Sequence, residues 1–367
     1  MGRHILRGAL ALVAVIAVLA VATLGYRAWR QHENTRALAI HTPNGIAETD
    51  YVRLGGIDQW IQIRGEDRRN PVILFLHGGP GSSESVLSSL FRPWEKHFTV
   101  VMWDQRCAGK TFVRNGAANC KGMTLESIAQ DGIDLTQFLR RHLHHRKIIL
   151  LGHSWGTMLG VRMVKEHPDL FSAYVGTGQV VSIPEKEPII YARTLARLRA
   201  AGAKKGIVAL KALGPPPYRN HQGIEIERKW SQRYDIPSER DLFSDMTPVA
   251  VFAPGWSLLD LYRMLHAPDY AEKALYKSTA DYDARKLGPD FRVPFFIVNG
   301  ALDNITPTDL ARNYFGFVRA PHKEFIVVPD AGHSAVLTRP DAFLHILLTR
   351  VRPIANQYEN ANGESHG

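Results

Sequence analysis

Short apolar runs alternate with stretches of helical period along the first half of the chain. Val72-Ile73-Leu74-Phe75-Leu76, the run from Thr99, Lys147-Ile148-Ile149-Leu150-Leu151 and Ala173-Tyr174-Val175-Gly176-Thr177 show no alternating polar face. That is the pattern of strands covered on both sides. Tyr51–Leu54 and Trp60–Arg64 precede them as further β-rich pieces. Between the runs, Ser83–Trp94 and Leu125–Leu143 read as helices, the second with Thr124 as N-cap. This alternation predicts an α/β fold, a mostly parallel sheet with helices on both faces.

After Gln179 the strand signal stops, and it resumes only at Val293. In between, Ile190, Leu195 and Leu198, then Ile207, Leu210 and Leu213, recur at helical spacing, broken at Gly214-Pro215-Pro216-Pro217. More helix follows around Trp230 and over Leu258–Leu265. The expected division is core over 45–180, a helical insertion over 181–290, and core again over 291–352. The tail 353–367 is polar and rich in Asn and Gly, and is expected to be disordered.

The N-terminus reads differently. Gly8–Gly25 holds no charged residue, with Arg3 and Arg7 before it and Arg27 and Arg30 after it. It lacks the polar face of a soluble helix and is about long enough to span a bilayer. Residues 1–30 are therefore expected to be a signal anchor and transmembrane helix. Ala20-Val21-Ala22 offers a cleavage site, so removal as a signal peptide is the alternative. The flanking charge is nearly balanced and gives no direction; the precedent of signal-type segments puts the following domain in a periplasm or outside the cell.

The candidate chemistry lies where the strands end. Gly152-His153-Ser154-Trp155-Gly156 follows directly on the Lys147 run and leads into a helix carrying Met158, Leu159, Val161, Met163 and Val164. A serine between small residues at a strand-to-helix turn is held exposed above the sheet, with the new helix's N–H groups aimed where negative charge develops. An ordinary Gly-rich turn has the same letters, so the reading rests on partners. A serine hydroxyl needs a base and an acid to orient it, in the chain order Ser, acid, His for this kind of turn. Asp303 follows the strand-like run from Val293 to Val298, and His333 follows Phe325-Ile326-Val327-Val328. Asp330 competes for the acid's place, but it sits so close to His333 that it is read as shaping the turn. His77-Gly78-Gly79-Pro80-Gly81, after the Val72 strand, lets backbone approach a carbonyl without a Cβ in the way. Gly79 N–H, with Gly78 as runner-up, and Trp155 N–H are the expected oxyanion donors.

Other chemistries are excluded. The glycine loop lacks the Gly-Lys-Ser/Thr ending of a phosphate loop, and no dinucleotide fingerprint follows a strand. Of 16 histidines, His142, His144 and His145 cluster at the end of a basic helix without nearby carboxylate or Cys in sequence. No metal and no other cofactor is expected.

Together these stretches, with Trp103-Asp104-Gln105-Arg106, resemble the α/β-hydrolase superfamily, and within it the proline iminopeptidase-like (peptidase S33-type) branch. The resemblance spans roughly residues 50–350. It implies a serine hydrolase working through an acyl-enzyme: Ser154 attacks, His333 is base and then acid, Asp303 holds the imidazole, and Gly79 and Trp155 stabilise the oxyanion. It implies that the insertion is a cap over the pocket, and that the substrate is a short peptide or a small amide or ester. A proline iminopeptidase-like aminopeptidase is favoured; a carboxylesterase, or a non-catalytic ligand-binding protein on the same fold, is the alternative. Two departures stand out. Cys107 replaces the glycine usual after Trp-Asp-Gln-Arg, and the amine-binding Trp-Glu pattern of the cap is absent. Glu225 and Glu227 are the candidates for that role, or else belong to a solvated helix face. Tyr191, Trp230, Trp256 and Tyr262 either line the pocket or form the cap's own core.

Composition adds little. Lys plus Arg number 45 against 35 Asp plus Glu, a net charge of +10 spread along the chain. No basic block or recognition motif points to nucleic acid, whereas a basic surface suits a protein beside anionic lipid. Cys107 and Cys120 are either free thiols or, in an oxidising compartment, a disulfide worth about 3 kcal/mol.

Overall fold

Each apolar run becomes a strand. The computed structural model describes residues 2–360. Its strands are β1 (Ile46–Leu54), β2 (Ile57–Gly65), β3 (Val72–Leu76), β4 (Thr99–Trp103), β5 (Ile148–His153), β6 (Phe171–Thr177), β7 (Phe295–Gly300) and β8 (Lys323–Val328). They form one sheet in the order β1-β2-β4-β3-β5-β6-β7-β8. β1 and β2 are antiparallel to their neighbours, and the rest pair in parallel. Successive residues of β3 enter opposite apolar clusters: Val72, Leu74 and Leu76 on one face, Ile73 and Phe75 on the other. A sheet covered on both faces has no use for polar alternation. That is why these strands read as unbroken apolar runs.

The helices are α1 (Gly2–Ala37), α2 (Gly109–Asn115), α3 (Leu125–Leu143), α4 (Trp155–Glu166), α5 (Ile183–Ala200), α6 (Lys204–Leu213), α7 (His221–Arg233), α8 (Pro237–Arg240), α9 (Leu242–Val251), α10 (Leu258–Thr279) and α11 (Thr308–Phe317), followed by short C-terminal pieces. α5 to α10 form an insertion between β6 and β7. Thr124 caps α3 by accepting from Ser127 N–H at 3.2 Å, and Ser127 Oγ in turn accepts from Thr124 N–H at 2.9 Å. Both helix-start donors are thereby satisfied. The stretch expected as a helix over Ser83–Trp94 instead forms two 3₁₀ turns, Ser85–Phe91 and Trp94–Lys96. Pro93 stands between them and has no N–H to continue a helix.

Two boundaries differ from the sequence reading. The tail expected to be disordered, 353–367, enters a helix, Arg352–Asn360, and its remaining residues 361–367 lie outside the described residues. Ala355 is buried beside Val351, Ile354 packs on the same cluster, and Glu359 pairs with His145 at 2.8 Å. A few apolar positions at helical spacing anchor a segment whose composition alone reads as polar. At the other end, α1 continues past residue 30 because its last turns dock on the insertion. Arg27 donates to the carbonyls of Val251 and Trp256 at 3.0 and 2.6 Å, Gln31 to Ala253 O at 2.7 Å and Asn34 to Phe252 O at 2.9 Å. Before these contacts, α1 carries a long apolar stretch that is unburied.

Cys107 and Cys120 form a disulfide. Cys107, where the branch has glycine, keeps a left-handed backbone with φ 60°.

Candidate active site

Ser154 stands between β5 and α4 with φ 52° and ψ −118°. The flanking glycines are required by proximity. A Cβ on Gly156 would lie 2.1 Å from Leu76 O, and one on Gly152 would lie 2.7 Å from Gly156 O. The turn can therefore press against the end of β3 only without those side chains. Thr157 N–H closes the turn onto Ser154 O at 2.8 Å.

The loops after β7 and β8 bring the expected partners to this serine. His333 Nε2 is 2.8 Å from Ser154 Oγ, and His333 Nδ1 is 3.1 Å from Asp303 Oδ2. With Nδ1–H donated to the carboxylate, Nε2 is free to accept the serine proton. Asp303 is buried and held on its other lone pairs. Ile305 N–H and Thr306 N–H donate to Oδ1 at 2.8 and 2.7 Å, and Thr306 Oγ1 donates to Oδ2 at 2.6 Å. Burial alone would raise this carboxyl. The His333 ring and the Thr306 donors outweigh burial and hold it below the usual range. Asp330 takes the turn position, with φ 53°, and its carbonyl accepts from Arg339.

The glycine loop after β3 is built onto the same edge. His77 Nε2 accepts Gln105 N–H at 3.1 Å, which leaves Nδ1–H to donate to Gly78 O at 2.8 Å. Gln105 Oε1 accepts from the Trp155 indole at 3.0 Å, tying the loop after β4 to the serine turn. Asp104 is buried and accepts from Ser83, Ser85 and Lys110 N–H at 2.6, 2.7 and 2.7 Å. Burial still leaves its carboxyl above the ordinary value. Gly78 N–H is occupied, donating to both Glu84 carboxylate oxygens at 3.1 Å. Gly79, with φ 110°, lines the cavity, as does Trp155.

A cavity of about 1280 Å³ lies over Ser154, between the sheet edge and the insertion. Glu225 lines it, 3.5 Å from His221. Glu227, the other glutamate read from the sequence, is fully buried and does not line the cavity; Arg228 reaches its carboxylate at 3.3 Å. Sequence reading missed other charged residues that line it. Glu187 is gripped by Lys186 at 2.5 Å and Arg228 at 2.8 Å. Burial acts to raise its carboxyl, and the two cations bring it down to about 2. Glu272 is pushed up to about 7, chiefly by burial and then by Glu225. Glu239 of α8 accepts Ser334 N–H at 2.9 Å, so the insertion grips the loop carrying His333.

The four aromatic residues considered for the lining lie elsewhere. Trp256 packs on Trp60, Trp230 stacks on Tyr234, Tyr191 donates to Leu210 O and Tyr262 is exposed. The histidine cluster is also dispersed, with His142 on Glu48 and His145 on Glu359. No group of three or more metal-type ligands occurs among the described residues.

Known proteins agree with this architecture. Residues 71–212 match the family model of the alpha/beta hydrolase fold. The chain is 27% identical over 317 residues to the probable aminopeptidase YbaC of Bacillus subtilis (strain 168), covering 84% of this chain and 97% of the relative. It is 26% identical over 300 residues to a probable proline iminopeptidase of Streptomyces coelicolor, covering 76% and 87%. The crystal structure of a membrane phospholipase A, a bacterial virulence factor, superposes with a TM-score of 0.59 at 14% identity. That match covers 95% of this chain and 99% of the other, and at such identity the likeness is one of fold.

Proposed function

The chain is an α/β-hydrolase of the proline iminopeptidase-like family, a serine hydrolase, and from that premise we propose that Ser154, His333 and Asp303 are its catalytic triad and that it acts as an aminopeptidase on short peptides. The observation that carries the reading is the unbroken line from Asp303 Oδ2 through His333 to Ser154 Oγ, at 3.1 and 2.8 Å. His333 Nε2 takes the serine proton as Oγ attacks the substrate carbonyl. The Asp303 carboxylate, kept ionised by its donors, stabilises the imidazolium that results. Negative charge on the former carbonyl oxygen is met by the N–H groups of Gly79 and Trp155, the latter at the start of α4. His333 then gives its proton to the leaving amine, and water, activated by the same imidazole, releases the acyl group.

The insertion is the cap of this pocket, and Glu225 and Glu272 are the carboxylates on its wall that answer a substrate ammonium. One observation favours a second reading, an esterase: Glu187, whose carboxyl is held down to about 2, is already neutralised by Lys186 and Arg228. α1 anchors the enzyme in a membrane, a role supported by its unburied apolar stretch. The disulfide supports an oxidising compartment, hence a hydrolase domain facing a periplasm or the cell exterior.

Two measurements test this. Fluorophosphonate labelling should be abolished by Ser154→Ala, and retention of labelling would remove the triad assignment. Release from proline, alanine and acyl-ester chromogenic substrates is compared next. Turnover of the esters alone would replace the aminopeptidase by the esterase.

A further inference from the structure

The direction in which α1 leaves the hydrolase domain bears on where the cavity opens. Leu38 O, just past the helix, accepts from Arg64, whose register partner is Val100 at the start of β4. Arg27 binds Trp256 O, and Trp256 packs on Trp60, next to Ile61, the register partner of Trp103 at the end of β4. Traced back from Leu38 to Arg27, the chain therefore climbs beside the sheet from the start of β4 to its end. The lengths agree: eleven helical residues rise about 16 Å, and five strand residues span about the same. The ends of the parallel strands are where Ser154, Asp303, His333 and the glycine loop sit. α1 thus leaves on the catalytic side, and its apolar stretch projects beyond the insertion.

On this side the insertion carries apolar side chains that nothing covers. α10 begins directly after the Trp256 contact. Leu258, Leu259, Tyr262 and Leu265 are exposed on one flank of it, Tyr262 by 62%, while Leu261, Ala267 and Ala271 are buried on the other. α9 packs inward through Leu242, Met246 and Val249, yet leaves Phe243 72% exposed. Phe243 also lines the catalytic cavity, so it stands at the mouth. The far end of α9 is the segment whose carbonyls are held by Arg27 and Asn34. Tyr26 and Trp29, exposed on α1 at this level, are the residue types that settle at a membrane–water boundary.

We infer that the insertion rests on the bilayer that α1 enters, with the apolar flank of α10 and Phe243 in the lipid interface and the cavity mouth opening onto it. The occupant is lipid because the uncovered face is continuous with the span and lies on the side toward which the span projects. The substrates that reach Ser154 by the shortest route are then amphipathic esters or amides that partition into the interface. This rests on the reading of α1 as an anchor.

The test uses the full chain in nanodiscs of phosphatidylethanolamine and phosphatidylglycerol. The environment-sensitive dye NBD is attached at Ile16→Cys, Phe243→Cys, Tyr262→Cys or, as a control on the opposite edge, Arg141→Cys. Far-UV circular dichroism and an unchanged thermal melt verify the fold of each variant. Blue-shifted emission at positions 16, 243 and 262, lost when the lipid carries a doxyl quencher, with position 141 unaffected, is the expected result. Quenching at 16 with water-like, unquenched emission at 243 and 262 overturns the docking and leaves the anchor standing. Blue-shifted but unquenched emission at 243 and 262 assigns the face to a second copy of the chain, which also overturns it. Absence of quenching at 16 removes the anchor reading and the inference with it.

Discussion

The Glu84 carboxylate sits 2.9 Å from His153 Nδ1, on the residue that precedes Ser154, while its oxygens also receive Gly78 N–H. Both side chains are buried. Burial by itself would raise the carboxyl and lower the imidazole. The pairing reverses both, leaving Glu84 below its ordinary value of 4.5 and His153 above its ordinary 6.5. One carboxylate thus fixes the residue preceding Ser154 and the glycine preceding the proposed oxyanion donor.

The pair gives stability a defined pH dependence. The His153 contribution is fully present below 6.5 and is lost as pH rises through its elevated folded value. That of Glu84 is present above 4.5 and is lost as pH falls through its lowered folded value. Glu84→Gln is therefore expected to lower Tm most between these two values, with the difference from wild type narrowing on either side. A Tm difference that does not vary with pH would mean that the two groups are not an ion pair.

Asp303→Asn tests the proposed triad without removing volume. The amide cannot accept the His333 Nδ1–H and also satisfy the Ile305 and Thr306 donors, so the imidazole loses its required tautomer. kcat is expected to fall by about 10⁴-fold with KM little changed. Asp330→Asn, a change in the turn, is expected to leave kcat within about threefold, since surface changes of this kind cost little. Steady-state kinetics on whichever chromogenic substrate the enzyme turns over reads both. Equal losses in the two variants would dismiss Asp303 as the orienting acid.

Much of this site was legible because its parts are local. The serine turn, the glycine loop and the loops of Asp303 and His333 each follow directly on an apolar run, and runs buried on both faces are the clearest signal in the chain. Thr124 as the cap of α3 was legible for the same reason, since cap and helix are neighbours in sequence. The charged wall of the cavity was not. Glu187, Arg228 and Glu272 come from three different helices of the insertion and meet only when these pack. No spacing within any one helix marks them. Glu227 misled because its helix turns it inward, where burial, which sequence does not reveal, separates it from Glu225. Glu84 carries no periodic signal, since it stands just before a 3₁₀ turn rather than within a regular helix.

The close approach of the serine turn to β3 makes a sharp stability prediction. In Gly156→Ala the new methyl would lie 2.1 Å from Leu76 O and 2.9 Å from His77 O, both backbone atoms that no rotamer change can move. Relief requires α4 to shift away from the sheet, at a cost of about 1–3 kcal/mol or more. Gly316→Ala, on α11 with nothing within 4 Å of the added Cβ, is the matched control. It is expected to be neutral or slightly stabilising, because alanine favours helix over glycine by about 1 kcal/mol. Urea unfolding of the two variants measures the contrast, and similar midpoints would refute the contact.

The cavity wall predicts how activity follows pH if the substrate carries a free amine. Glu272 is raised to about 7, so its carboxyl is mostly neutral in mildly acidic solution and ionised above that point. Glu272 adds its counter-charge to that of Glu225 beside an ammonium group only when its own carboxylate is ionised. kcat/KM for peptide substrates should therefore rise with pH through about 7, in addition to any change from His333. Glu272→Gln removes the titrating group and should raise KM for peptides about tenfold, the magnitude of one lost charge-assisted contact. An acyl ester without an amine has nothing to present to Glu272, so its KM should be the same in wild type and variant. The ratio of peptide to ester kcat/KM, taken at each pH, cancels the His333 term common to both reactions. In wild type that ratio should climb through neutrality, and in Glu272→Gln it should stay flat. A ratio that climbs equally in both proteins would take the amine-binding role away from Glu272.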